Sequence, residues 1–426
     1  MAGATAWRLV FLAVQGGSSV ALFAALGHAL TEPAFAATAI AQGVIVIAQS
    51  IGDFGLSQAA VTVLPARIAA GRGAPAELLA GAATAYLGAT GLALLLALAA
   101  ALIVPSAAAG PVAVSGLAAA AAVVVSGADG TLRSQGEFRR PVLLRAASEL
   151  AGVVGVPVAA LTDSAFWTCA AVALGMAAGA TASAAVLLRL RRAAPSATAY
   201  PFARASLPLG VSQVFIALAT RADTLLAGLV SGLVAAGTFE GCWRVYQLSQ
   251  YLAGGLASAA APFIADRLGA ARVPDGLRIL RRLVLRLLAL GLAGGVVLYL
   301  LRTPIADVFA GALGPSVARA LAPLAIVSPI QAVGLVGYFT LIGQDGQRRA
   351  VLGAIIAGAT VNLAIAAPLG HELGARGIVI GCAAGQAATT VLLLARLAPL
   401  LRRIRAGTGD SAHPSDVPPE LAGPLQ

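Results

Sequence analysis

LPLGVSQVFIALATRADTLLAGLVSGLVAAGTFEGCWRVYQLSQYLAGGLASAAA, residues 207–261, is the stretch that decides how this chain is read. It holds two apolar runs, each near the ~20 residues that cross a bilayer as a helix. A short turn near Val230 to Ala235 joins them, and Arg221, Asp223, Glu240 and Arg244 are set into them. An ionisable side chain at the centre of a membrane helix costs about 2.5–3.5 kcal/mol on translocon scales, so such residues have partners or a task. The stretch is therefore the candidate translocation site.

Spacing limits what these charges reach. Glu240 and Arg244 lie four apart, share a helix face and can pair. Arg221 and Asp223 lie two apart and point in different directions, so a common partner is awkward, but either can meet the second helix across the turn. Two readings stand side by side. In one, the guanidinium groups hold a phosphate or pyrophosphate through forked hydrogen bonds, with Gln213 and Gln247 as further candidate contacts. In the other, four charges that sum to zero pin two helices together. Asp223 and Glu240 are also candidates for binding a coupling cation or proton.

Outward from this stretch the chain is mostly alanine, leucine, glycine and valine. Of its 426 residues 59% are hydrophobic and 11% charged, and the mean hydropathy is +0.91. That balance excludes a soluble globular protein of this size. The apolar runs do not alternate in polarity, which excludes an outer-membrane barrel. Spans are expected at about 7–30, 35–52, 78–104, 112–129, 141–162, 165–188, 207–230, 235–262, 279–301, 316–342, 349–369 and 376–398. The first run, from Trp7 to Gly27, is too long for a signal-peptide core and reads as a span. The expected fold is an all-α polytopic membrane protein of about twelve helices in two six-helix bundles.

The net charge of +11 suggests nucleic acid only until the basic residues are placed. All 28 are arginine, and 23 of them fall in or beside the segments on one side of the spans, against three (Arg302, Arg319 and Arg376) on the other. Arginine concentrates in cytoplasmic loops, so both termini are expected in the cytoplasm, with anionic lipid headgroups and not nucleic acid as the partner of these charges. The expected organisation is an N-terminal half at 1–190, a linker at 191–206, a C-terminal half at 207–405 and a disordered cytoplasmic tail at 406–426. The basic segment from Arg267 to Arg286 is expected to lie as a helix against headgroups before span nine.

Lesser polar groups have plain readings. Asp53, in Ile51-Gly52-Asp53-Phe54-Gly55-Leu56, is placed to cap the following helical segment. Glu149 sits inside span five and is a candidate for ion coupling or for a charge pair with Arg145, four residues earlier. Asp129 stands near Arg133, and His28 near an interface. Gln15, Gln42, Gln49, Gln213, Gln247, Gln250 and Asn362 suit either helix-to-helix hydrogen bonds or a wet lumen. Cys169, Cys242 and Cys382 are isolated, with neither disulfide nor metal spacing. No phosphate-binding loop, metal motif or nucleophile set occurs, so neither an enzyme nor a cofactor is expected.

Three pieces carry a resemblance. They are Leu30 to Ala60, with Ala34-Phe35 and Asp53-Phe54-Gly55-Leu56-Ser57; Arg221-Ala222-Asp223-Thr224-Leu225-Leu226 followed by Ala236-Gly237-Thr238-Phe239 and Ala261-Pro262; and Gly374-Ala375-Arg376-Gly377. Together they resemble the polysaccharide or oligosaccharide lipid flippases of the multidrug/oligosaccharidyl-lipid/polysaccharide (MOP) exporter superfamily, although that family often has tyrosine where this chain has Phe239. The resemblance implies alternating access between two bundles, with an undecaprenyl-pyrophosphate-linked oligosaccharide as cargo and its headgroup held in a cationic cavity, a role for Arg221 and Arg244. It further implies work beside polysaccharide polymerase machinery in the cytoplasmic membrane. A drug/cation antiporter of the same superfamily is the first alternative. A major-facilitator transporter is the second, on the loop Asp266-Arg267-Leu268-Gly269. A membrane glycan polymerase would need a large outer loop, and the outer loops here are short.

Overall fold

The computed structural model describes residues 17–18, 20–69, 74–269, 273–342 and 347–405. Among them all regular structure is helical. The first half comprises α1 (Val20–Ala29), α2 (Glu32–Asp53), α3 (Leu56–Ala69), α4 (Pro75–Ala101), α5 (Ser106–Ser134), α6 (Arg139–Ala151), α7 (Gly155–Thr162), α8 (Ala165–Gly179) and α9 (Thr181–Ala193). The second comprises α10 (Tyr200–Val230), α11 (Leu233–Gly269), α12 (Val273–Leu300), α13 (Arg302–Ala310), α14 (Gly314–Ala320), α15 (Ala322–Ile342), α16 (Arg348–Leu373) and α17 (Ala375–Arg405).

Among the described residues, eight helical stretches are long and apolar enough to cross a membrane unaided, or nine when the bent pair α8–α9 counts as one. Helices α10 and α11 are 31 and 37 residues long and carry the four buried charges. Helix α1 is the described part of the first expected span; residues 7–16 of that span, and the expected tail at 406–426, lie outside the described residues.

Several spans are interrupted where the sequence was read as continuous. Span two continues past residue 52 as α3, after a break at Phe54 (φ 38°) and Gly55 (φ 75°). Both residues are left-handed, a conformation that costs a side-chain-bearing residue about 1–2 kcal/mol. The Asp53 carboxylate stabilises the break by accepting from the Ser57 amide at 3.3 Å and its hydroxyl at 2.5 Å. That is the expected cap. Span five contains a 3-10 turn, Gly152–Val154, and span six bends by 44° between α8 and α9. The region read as span ten is divided into α14 and α15. The basic segment is a second correction: α11 runs on to Gly269, and α12 is a single helix from Val273 to Leu300. Arg278, Arg281, Arg282 and Arg286 therefore lie on the first turns of the span itself and not on a separate surface helix.

Small residues set the packing. Membrane helices gain nothing by hiding apolar surface from lipid, so close backbone approach and dispersion hold them together. Gly291 and Gly295, one turn apart on α12, meet α15 so closely that a Cβ would lie 2.7 Å from Pro329 Cα and 2.5 Å from the Ala325 carbonyl oxygen. Gly381 and Gly385 on α17 meet α16 in the same way, at Ala366 and Asn362.

The halves join through α2, which packs along both α10 and α11. On the arginine-poor side this seam is tight. A Cβ on Gly237 of α11 would come within 3.0 Å of Ala36 of α2, and one on Gly27 within 3.1 Å of Ala310 in α13. His28 Nε2 lies 2.9 Å from the Val308 carbonyl oxygen.

Candidate functional site

Glu240 is the centre of the charged stretch. It sits two turns into α11, is fully buried, and accepts from Arg221 Nη1 at 2.9 Å and Arg244 Nε at 2.7 Å on one oxygen. Its other oxygen accepts from the Thr224 hydroxyl at 2.8 Å. The i,i+4 pair expected from spacing forms, and Arg221 crosses from α10 to complete an arginine–glutamate–arginine triad. Arg221 also donates to Gln247 at 3.5 Å. Arg244 donates to Gln42 of α2 at 3.2 Å, and its guanidinium carbon lies 5.7 Å from the centre of the Phe23 ring. Residues from both halves thus fix the two guanidiniums in place.

Asp223 is not part of this group. Two residues along α10 from Arg221, it faces the opposite way, and both carboxylate oxygens accept from Asn362 Nδ2 of α16 at 2.8 Å. It is 1% exposed and makes no ion pair among the described residues. The Asn362 carbonyl oxygen is buried with no hydrogen-bond partner among them. The neutral quartet expected as one reading is therefore corrected: the triad carries a net +1, and the Asp223 carboxylate is buried apart from it against Asn362 of the second half.

Arg221 and Arg244 line a cavity of about 440 Å³ between the halves, together with Gln213, Gln247 and Tyr251 from α10 and α11 and Gln42 and Gln49 from α2. Glu240 and Asp223 are not among its lining residues. The wall thus shows cations while their counter-charge lies behind, which suits an anion. The far wall carries Glu149 and Arg145 of α6, paired at 2.8 Å as expected, with Ser18 donating to the second Glu149 oxygen. Asp129 and Arg133 form a pair at 2.7 Å outside this cavity. Cys169, Cys242 and Cys382 are buried and free.

The model of one family, described as polysaccharide biosynthesis protein, matches residues 10–267, more than half of the chain. The chain belongs to the polysaccharide biosynthesis protein family. A second family model, MatE, matches residues 208–394, and no curated protein gives a significant match. Solved structures share the fold of this polysaccharide biosynthesis protein. An inward-facing multidrug-resistance MATE transporter of the MOP superfamily has a TM-score of 0.73 at 17% identity, covering 93% of this chain and 96% of that one. The lipid II flippase MurJ, inward closed, has a TM-score of 0.67 at 12% identity, covering 94% and 90%. A MOP transporter from Pyrococcus furiosus, described by the reverse polarity of its binding pocket, has a TM-score of 0.61 at 18% identity, covering 94% and 95%. The twelve-helix, two-lobed MOP fold is thereby established, and the major-facilitator reading is set aside.

Two cavity residues of this family member carry little signal in the sequence. Arg145 lies among the arginines that set topology, and only its i,i+4 relation to Glu149 puts both on one helix face. Gln42 was one glutamine among several; its seven-residue spacing from Gln49 was the only sign that both look the same way.

Proposed function

We propose that this chain moves a polyprenyl-pyrophosphate-linked oligosaccharide from the inner to the outer leaflet of the cytoplasmic membrane by alternating access, for polysaccharide synthesis. The observation that carries the proposal is the arginine triad: two guanidiniums on a cavity wall between the halves, with their single counter-charge buried behind them. A pyrophosphate presents oxygens that match forked guanidinium donors, and in a dry site such charge-assisted bonds are about twice as strong as neutral ones. In this proposal Arg221 and Arg244 bind the pyrophosphate and Gln213 and Gln247 support it. The N-terminal half at 1–190 and the C-terminal half at 207–405 rock about the cavity, joined by the linker at 191–206, of which residues 194–199 form the break between α9 and α10. Both termini are cytoplasmic, the basic ends of the spans contact anionic headgroups, and the exported glycan is handed to a polymerase outside.

One observation favours a second reading. A buried carboxylate such as Asp223, opposite an amide and without a cationic partner, is placed to take up a proton or monovalent cation. Such a site serves a drug/cation antiporter as well as a coupled flippase. The deciding experiment is the leaflet-resolved pool of polyprenyl-linked sugar in cells lacking the chain. Accumulation on the cytoplasmic side supports flipping. An unchanged pool with altered drug or cation tolerance transfers the assignment to the antiporter.

A further inference from the structure

The cavity has two unlike poles. The triad side is buried, with side chains 0–7% exposed, and bears net positive charge. The opposite side, Arg145 with Glu149, is neutral as a pair, and these side chains are 15% and 17% exposed. Both poles line the same cavity. Gln42 and Gln49 bridge the gap on one face of α2, about 10 Å apart along the helix. Gln42 touches the triad and Gln49 donates to Ser126 of α5 at 3.3 Å.

We propose that the Glu149–Arg145 pole reads the sugar ring attached directly to the pyrophosphate, and so sets which glycans are carried. This rests on the pyrophosphate assignment to the triad. A neutral carboxylate–guanidinium pair offers acceptors and donors side by side, the arrangement that adjacent ring hydroxyls satisfy, each hydroxyl being both donor and acceptor. It adds no net charge to compete for the anion.

The test is binding to the purified full-length protein in lipid nanodiscs. The probes are undecaprenyl diphosphate alone and undecaprenyl diphosphate bearing a single glucose, galactose or N-acetylglucosamine. For the unaltered protein, at least one sugar is expected to tighten binding about tenfold over the bare lipid. Glu149→Gln, which keeps the shape and removes the carboxylate that neutralises Arg145, should abolish that gain while the bare lipid binds at least as tightly as before. Ser18→Ala should lessen the gain in the same selective way. Three results would overturn the proposal: no gain from any of the three sugars, a gain that survives Glu149→Gln, or an equal loss for bare and sugar-bearing lipid. Failure of the bare lipid to bind the unaltered protein would instead strike the pyrophosphate assignment itself.

Discussion

Glu240→Gln is the sharpest perturbation available, because it removes the one charge that lets two arginines share a dry site. Each guanidinium–carboxylate pair is worth about 4 kcal/mol at 4 Å with an effective dielectric near 20. The glutamine oxygen still accepts from the arginines and recovers about 1 kcal/mol for each bond, and its amide can donate to the Thr224 hydroxyl, which rotates to accept, but the ionic part of both pairs is lost. The two arginines, held by Glu240 at 2.9 and 2.7 Å, are left with mutual repulsion and no counter-charge. Removing one partner of a buried ion group costs about 3–5 kcal/mol, and that is the expected loss for Glu240→Gln. Thermal unfolding of the detergent-purified protein, followed by size-exclusion recovery after heating, reads it. A paired variant controls for general damage: Arg221→Met with Glu240→Gln removes one cation together with the anion and should be more stable than Glu240→Gln alone. If Glu240→Gln melts with the unaltered protein, or if the double variant is the less stable, the triad is not held by its carboxylate and the charge argument fails.

Other perturbations separate site from scaffold. Arg221→Ala and Arg244→Ala should each lower translocation at least tenfold in a leaflet-resolved lipid assay while the protein still inserts; lysine at either position should restore little, because a point charge lacks the fork. Asp223→Asn should abolish the part of transport that responds to an imposed proton or sodium gradient in proteoliposomes, and leave exchange without a gradient. Gly295→Val should cost about 1–3 kcal/mol of stability, since even a Cβ would lie 2.5 Å from the Ala325 carbonyl oxygen and α12 must lift off α15; an unchanged melting temperature would show that the helices do not meet there.

The membrane class and the spans were legible because hydropathy and arginine placement act over whole segments and need no tertiary information. The interruptions were not. Gly55 takes left-handed backbone freely, Phe54 takes it beside a carboxylate, Asp53, that is tied to Ser57, and a hydropathy window averages over two residues. Within the site, Glu240–Arg244 followed from spacing along one helix. The separation of Asp223 did not, since Asn362 lies 139 positions away and no local pattern announces it. Arg145 shows the same limit from the other side: its pairing with Glu149 was visible, but the cavity they face is built by helices from both halves.

In the proposed role, the triad is also a way for a membrane helix pair to keep a cation on a cavity wall. Two unpaired arginines near the bilayer centre would cost about 5–7 kcal/mol on translocon scales, which a marginally stable protein can hardly sustain. A second carboxylate would remove that cost and also neutralise the wall, leaving nothing to attract an anion. One glutamate between two arginines is the intermediate solution. Glu240 offsets most of the burial cost and, by bonding to Nη1 of one arginine and Nε of the other, fixes both orientations before any ligand arrives. The net +1 is then left on the cavity side, where Gln247 and Gln42 hold the guanidiniums without cancelling them. Asp223 must face away for this balance to survive. Its turn toward α16 is thus a requirement of the site as much as a consequence of its two-residue offset from Arg221.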